Sequence, residues 1–251
     1  MYIQLIRHAT MLIMINERKI LVDPMLSPAE MMSAVPDVPN KSDNPLVDLP
    51  VELDDLINVD AVLITHTHRD HFDSAAIELL SKDTLMFCQP ADAGKISEYG
   101  FTNIKPIAHS YAWNGLNMHR TSGQHGVGEI GHKMGPVAGF VLETAGEPSL
   151  YIAGDTIFCA EVEESLDKYQ PQITICFAGA ARFSHGGPIT MDKDDIVRLA
   201  KKAPYTKIIV AHMEAWNHCS LSRQELKTHI QTSKLAEQIM VPGDGEIIGL
   251  A

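Results

Sequence analysis

The sequence predicts a mixed α/β fold, and three observations carry that expectation. From residue 84 onward, short apolar runs of strand length alternate with runs of helical spacing. Residues 61–64 form an uninterrupted apolar run that ends abruptly in a polar cluster, as a strand buried on both faces would. Of the 251 residues, 45% are apolar, enough to fill a sizeable core.

Taken in order, the first strand runs through Arg7-His8-Ala9-Thr10 into a hairpin. Its arms are at 11–15 and 20–22, joined by a polar turn at 16–19. The 11–15 run is far too short to cross a bilayer. Residues 24–56 carry Pro24, Pro28, Pro36, Pro39, Pro45 and Pro50 and show no regular period. A long irregular stretch in a compact domain is usually functional or disordered. Its position before the polar cluster predicts a lid, with Met25, Leu26, Met31 and Met32 facing substrate. Next come a strand at 61–64, a helix at 72–80, a strand at 84–88, a helix at 91–99 stopped by Gly100, and a strand at 103–107. Antiparallel strands at 116–121 and 137–143 flank a glycine-rich loop. A strand at 149–153, a helix at 161–169, a strand at 173–177, a helix at 192–202, a strand at 207–211 and a helix at 222–233 follow. A strand at 246–250 closes the chain after the turn at 242–245. No linker, repeat or low-complexity tract interrupts this order, so one domain over 1–251 is expected.

The chemistry is concentrated in Thr65-His66-Thr67-His68-Arg69-Asp70-His71. His66 and His68 are two apart, so in extended chain they face one side and can share a divalent cation. The helical spacing from Phe72 puts Asp70 and His71 at a helix start, where they can face a second cation. This His-x-His-x-Asp-His order resembles the metallo-β-lactamase superfamily, and the likeness extends along nearly the whole chain. Gly123-Gln124-His125-Gly126 matches the family's lone histidine. The run 149–156 matches its strand ending in aspartate, here Asp155, and the run 207–212 matches its late strand ending in histidine, here His212. A His-Ala pair in the first strand and Asp23-Pro24 after the hairpin resemble the branch with ascorbate-6-phosphate lactonase and the N-acylphosphatidylethanolamine phospholipase.

The resemblance implies an αββα sandwich, with two central sheets face to face, helices on both outer faces and metals at one edge. It implies that His66, His68 and His125 hold one cation, Asp70, His71 and His212 a second, and that Asp155 bridges them around a hydroxide. Zinc suits this donor set; manganese and iron also fit. Asp70 and His185 are the expected catalytic residues. His185 precedes Gly186-Gly187-Pro188, where backbone can approach a ligand. His218, Arg182 and Trp216 are expected substrate contacts, and His8 a residue behind the ligands. The family usually has a bulky apolar residue where this chain has Arg69, whose side chain is expected to point away from the metals.

Composition narrows the partner. Lys+Arg 20 against Asp+Glu 32 gives a net charge of −12, which repels phosphate backbones. Cys88, Cys159, Cys176 and Cys219 are scattered without a CxxC pair. Together with the lack of a secretory signal, they predict free thiols and a cytoplasmic setting. The expected activity is hydrolysis of a small molecule, a lactone, other ester or phosphodiester. A nuclease or a non-catalytic metal sensor on the same scaffold is the alternative, and self-association is left open.

Overall fold

In the computed structural model, which describes residues 1–249, the strands form two seven-stranded sheets. The first comprises β1 (Tyr2–Arg7), β2 (Thr10–Ile15), β3 (Arg18–Val22), β4 (Ala61–Ile64), β5 (Met86–Cys88) and β6 (Ile104–Pro106), with β14 (Ile247–Gly249) beside β1. The second comprises β7 (Ser110–Trp113), β8 (Leu116–Ser122), β9 (Ala138–Glu143), β10 (Leu150–Ile152), β11 (Ile173–Phe177), β12 (Lys207–Ala211) and β13 (Ile239–Met240), in sequence order. The helices are α1 (Asp54–Ile57), α2 (Ser74–Leu79), α3 (Ala93–Glu98), α4 (Gly128–Met134), α5 (Ala160–Tyr169), α6 (Lys193–Lys202) and α7 (Arg223–Thr232).

Alternation along each strand separates the layers. Ile3, Leu5, Ile13, Val22 and Leu63 of the first sheet meet Phe140, Leu142, Ile152, Ile175 and Ile209 of the second in a central core. The opposite face of the first sheet, including Val62, Ile64 and Met86, packs on Ala76, Ile96 and Phe101 in and around α2 and α3. The opposite face of the second, including Tyr151, Cys176 and Ile208, packs on Val162, Leu199 and Leu226 from α5, α6 and α7. This is the expected αββα sandwich. Both faces of β4 and β11 are covered, which is why their sequences are unbroken apolar runs.

The pairings fix where the chemistry lies. β1–β2 and β2–β3 are antiparallel and β3–β4 parallel, so β1, β3 and β4 point the same way. By the same count β8, β10, β11 and β12 share a direction. Every residue just beyond these C-terminal ends is therefore delivered to one edge of its sheet. These residues include His8, Asp23, His66, His125, Asp155 and His212.

The structure differs from the local expectations in several places, among them α1, β7 and β13, which the sequence analysis does not expect. The helix expected at 91–99 splits into a 3-10 turn, Pro90–Asp92, followed by α3. The glycine-rich loop after β8 contains α4, which was missed because Gly128 and Gly131 weaken helix propensity and no residue of it is fully buried. The closing strand, expected at 246–250, spans Ile247–Gly249; Leu250 lies outside the described residues. Among the described residues no helix is long and apolar enough to cross a membrane.

Candidate metal centre

Three strand ends enter the site in left-handed backbone. His8, Asp23 and His212 have φ of 59°, 43° and 62°, which are strained values for residues with a side chain, costing about 1–3 kcal/mol each. Asp155 follows Gly154, whose φ is 73° and where a Cβ would lie 2.4 Å from the Ala138 carbonyl oxygen. Only glycine allows that approach, and it turns the Asp155 carboxylate inward.

The seven residues expected as ligands converge. His66, His68 and His125 form one group of mutually close donor atoms, and His8, Asp70, His71 and His212 form another. Asp155 lies between the groups: its Oδ2 is 3.4 Å from His125 Nε2 and 3.3 Å from His71 Nε2, and its Oδ1 is 3.3 Å from His212 Nε2. Asp70 Oδ2 lies 3.5 Å from His212 Nε2 and 3.3 Å from His8 Nε2.

Most of these imidazoles are fixed from behind. His71 Nδ1 donates to Asp23 Oδ2 at 2.8 Å, and Asp23 also accepts from the Thr65 N–H and hydroxyl. His125 Nδ1 donates to the Ile189 carbonyl at 2.7 Å. His66 Nδ1 pairs with the Thr65 hydroxyl at 3.1 Å, and His212 Nδ1 lies 3.7 Å from Cys219 Sγ. Such partners select the tautomer that turns the other ring nitrogen's lone pair into the site.

The centre carries unsatisfied polarity. His71 Nε2, His212 Nε2 and Asp155 Oδ1 are buried without a hydrogen-bond partner, whereas buried polar atoms are almost always paired. Burial alone would raise Asp155, yet His212, His71 and His125 outweigh it and hold its carboxyl well below the usual range. Burial alone would lower His71, yet Asp155, Asp70 and Asp23 hold it well above the usual imidazole value. His212 opposes its own burial in the same way, chiefly through Asp155, and reaches about 10. Protons thus stand in for positive charge between the carboxylates. Orphaned donors, paired carboxylates and back-fixed imidazoles together fit divalent cations.

Above the centre lies a pocket of about 210 Å³, reached by His68, Asp70, His125 and His218 and walled by Val35, Met134, Phe183, Ile189 and Trp216. Trp216 and His218 both line this pocket. Burial pushes the His218 imidazole down to about 4, and its Nδ1 has no partner. His185 and Arg182 do not line this pocket. His185 is exposed on the wall of a separate groove of about 810 Å³, carried outward by the 183–187 loop. Arg182 turns back along its own chain, its Nε donating to the Ala180 carbonyl at 3.3 Å.

Arg69 lines the pocket mouth. Its guanidinium lies 5.5 Å from the Trp216 ring centroid and donates to the Ser33 carbonyl at 2.8 Å.

The proline-rich stretch is a strap rather than a free lid. Met25 and Leu26 are fully buried, and Leu26 belongs to the core, so neither faces substrate; Met31 is exposed. The buried Arg7 guanidinium donates to the Met25, Ser27 and Val47 carbonyls. Asn44 and Asn217 exchange hydrogen bonds of 2.9 and 2.8 Å, tying the strap to the loop between His212 and His218. Of the strap, Val35 reaches the metal pocket. Sequence reasoning missed Asn44 and Asn217, which carry no motif. Asp23 was visible only as part of an Asp-Pro pair.

A family described as a beta-lactamase superfamily domain matches residues 18–213. The chain belongs to the metallo-β-lactamase superfamily. A UPF0173 protein, YddR of Bacillus subtilis, is 38% identical over 250 residues, covering 98% of each chain. A UPF0173 metal-dependent hydrolase of Methanocorpusculum labreanum is 26% identical, covering 78% of this chain and 87% of its own. Among solved structures, an isothiocyanate hydrolase from Delia radicum gut bacteria is 36% identical with a TM-score of 0.96, covering 100% of this chain and 99% of its own. The superfamily member described here is thus one of the UPF0173 metal-dependent hydrolases.

Proposed function

We propose that this hydrolase acts on a small neutral isothiocyanate, R–N=C=S, at a centre of two divalent cations. One observation carries the reading: a buried nest of imidazoles and carboxylates opens into a narrow pocket with apolar walls. Such walls accept an uncharged electrophile and leave the few polar groups to orient it. The whole-chain likeness to an isothiocyanate hydrolase supports the choice.

His66, His68 and His125 would hold one cation, Asp70, His71 and His212 the other, and Asp155 would reach both. Zinc suits these donors best, with manganese or iron as alternatives. When bound, such a pair supplies Lewis acidity and brings a water's pKa toward about 7. Chemically, water adds across the C=N bond: a C–O bond forms at the central carbon and nitrogen takes a proton. The C–N bond of the resulting thiocarbamic acid then breaks, its O–H proton passes to nitrogen, and R–NH₂ and carbonyl sulfide leave.

His218 would carry the proton to nitrogen. Burial keeps it neutral at physiological pH, with one donor and one acceptor nitrogen, and it lines the pocket where His185 does not. Trp216 and Phe183, which wall the pocket, would shield the reacting carbon from bulk water, and Asp23 keeps His71 facing inward. The free thiols support a cytoplasmic setting. A phosphodiester suits the pocket less well, because Arg69 at its mouth is already engaged with Ser33 and Trp216. A panel of benzyl isothiocyanate, a γ-lactone and bis-p-nitrophenyl phosphate decides among these. Turnover of the isothiocyanate at least tenfold faster than of the others is expected; preference for either alternative overturns the substrate assignment.

A further inference from the structure

We infer that the groove beside the metal pocket is a subsite for the apolar substituent R of the substrate, and that Met134 and Phe183 divide it from the reacting centre. The inference rests on the isothiocyanate reading and extends it from the reacting group to the rest of the molecule. Met134 and Phe183 line both cavities, so these two side chains form the wall that the pocket and the groove share. The inner space is about 210 Å³ and the outer about 810 Å³. A substituent too long for the inner pocket has the groove as the adjacent space, just beyond the shared wall.

The groove's floor is an apolar face that the fold leaves uncovered. Ile130 and Met134 are four apart on α4, which puts them on one side of the helix, and Val127, just before its start, lines the same groove. None is fully buried, and Val127 is 57% exposed. The opposite wall is the 183–187 loop. It is pinned to the strap, because the Ser184 N–H and hydroxyl both donate to the Asp37 carbonyl, at 2.6 and 2.7 Å. The rim mixes Glu129 and Asp37 with Lys133 and His185, so no single charge is selected. An apolar floor under a rim of mixed charge fits a neutral aryl or alkyl chain better than an anion. His185 then has a place at the mouth of this subsite, away from the proton transfer.

The test compares kcat/KM for methyl isothiocyanate and 2-phenylethyl isothiocyanate in the metal-loaded wild type, Ile130→Asn and Phe183→Ala. Ile130 is half-buried and outside the metal pocket, so its replacement is tolerated by the fold, and melting temperatures check this for both variants. The wild type should favour the longer substrate. Both variants should lower the long-to-short ratio by about tenfold, the scale of losing one or two apolar groups from a specificity pocket. An unchanged ratio in both variants, with both substrates still turned over, overturns the subsite while the isothiocyanate reading stands. A wild type that hydrolyses neither compound overturns the reading itself, and the subsite with it. A dimer in light scattering that Ile130→Asn dissociates without changing the ratio makes this face a contact between copies, and also overturns the subsite.

Discussion

His71 and His185 are both imidazoles in loops beyond a sheet, and the fold treats them in opposite ways. His71 is fully buried, held at 2.8 Å by Asp23 and crossed by the fields of three carboxylates. His185 is exposed, flanked by glycine, on a loop fastened through Ser184 rather than through its own side chain. The first belongs to a floor where strand ends dictate position. The second belongs to a mouth where loops and a short helix do. The floor can set the chemistry because its donors are fixed before anything binds. The mouth can change what enters without disturbing those donors.

The largest effect should come from the floor's shared carboxylate. Asp155→Ala removes the one group close to both donor sets; turnover should vanish and bound cation, read by elemental analysis, should fall. Full metal content with retained activity would break the contrast at its root. Next is proton transfer: His218→Ala should lower kcat by about 10²–10⁴-fold, and His185→Ala by less than about tenfold. Equal losses would mean that floor and mouth are not separate. Asp23→Ala should weaken cation affinity by about 10–100-fold, the usual cost of removing a partner behind a ligating histidine. Isothermal titration with zinc reads this directly, and unchanged affinity would remove Asp23 from the account.

The smallest effect concerns pH. His71 and His212 titrate above their ordinary value of 6.5 in the cation-free protein, His212 at about 10. Their protonation therefore stabilises that form fully below 6.5, and the stabilisation is lost as pH rises through about 10. The melting temperature of chelator-treated protein should decline across that window. Loaded protein should decline less, because the cation has replaced the protons. Parallel declines would contradict the proton-for-cation exchange.

This contrast also explains what the sequence made legible. Buried parallel strands force apolar runs, and their ends force the ligand types into fixed places, so β4, β11, β12 and the converging residues could be read in advance. Strap and mouth obey no period. Met25 and Leu26 look the same in sequence whether they face substrate or core, and only Arg7 reaching three carbonyls fixes the answer. Asn44 and Asn217 are 173 positions apart, a pairing that no local pattern encodes. α4 hid behind its glycines, and with it the groove it floors.

The most direct measurement follows both products from benzyl isothiocyanate, with metal content determined on the same sample. Benzylamine and carbonyl sulfide are expected in equal amounts from protein carrying two divalent cations per chain, neither product after chelation, and both restored by adding zinc or manganese. Equal turnover by chelated protein would contradict this expectation, as would fully loaded protein that forms neither product.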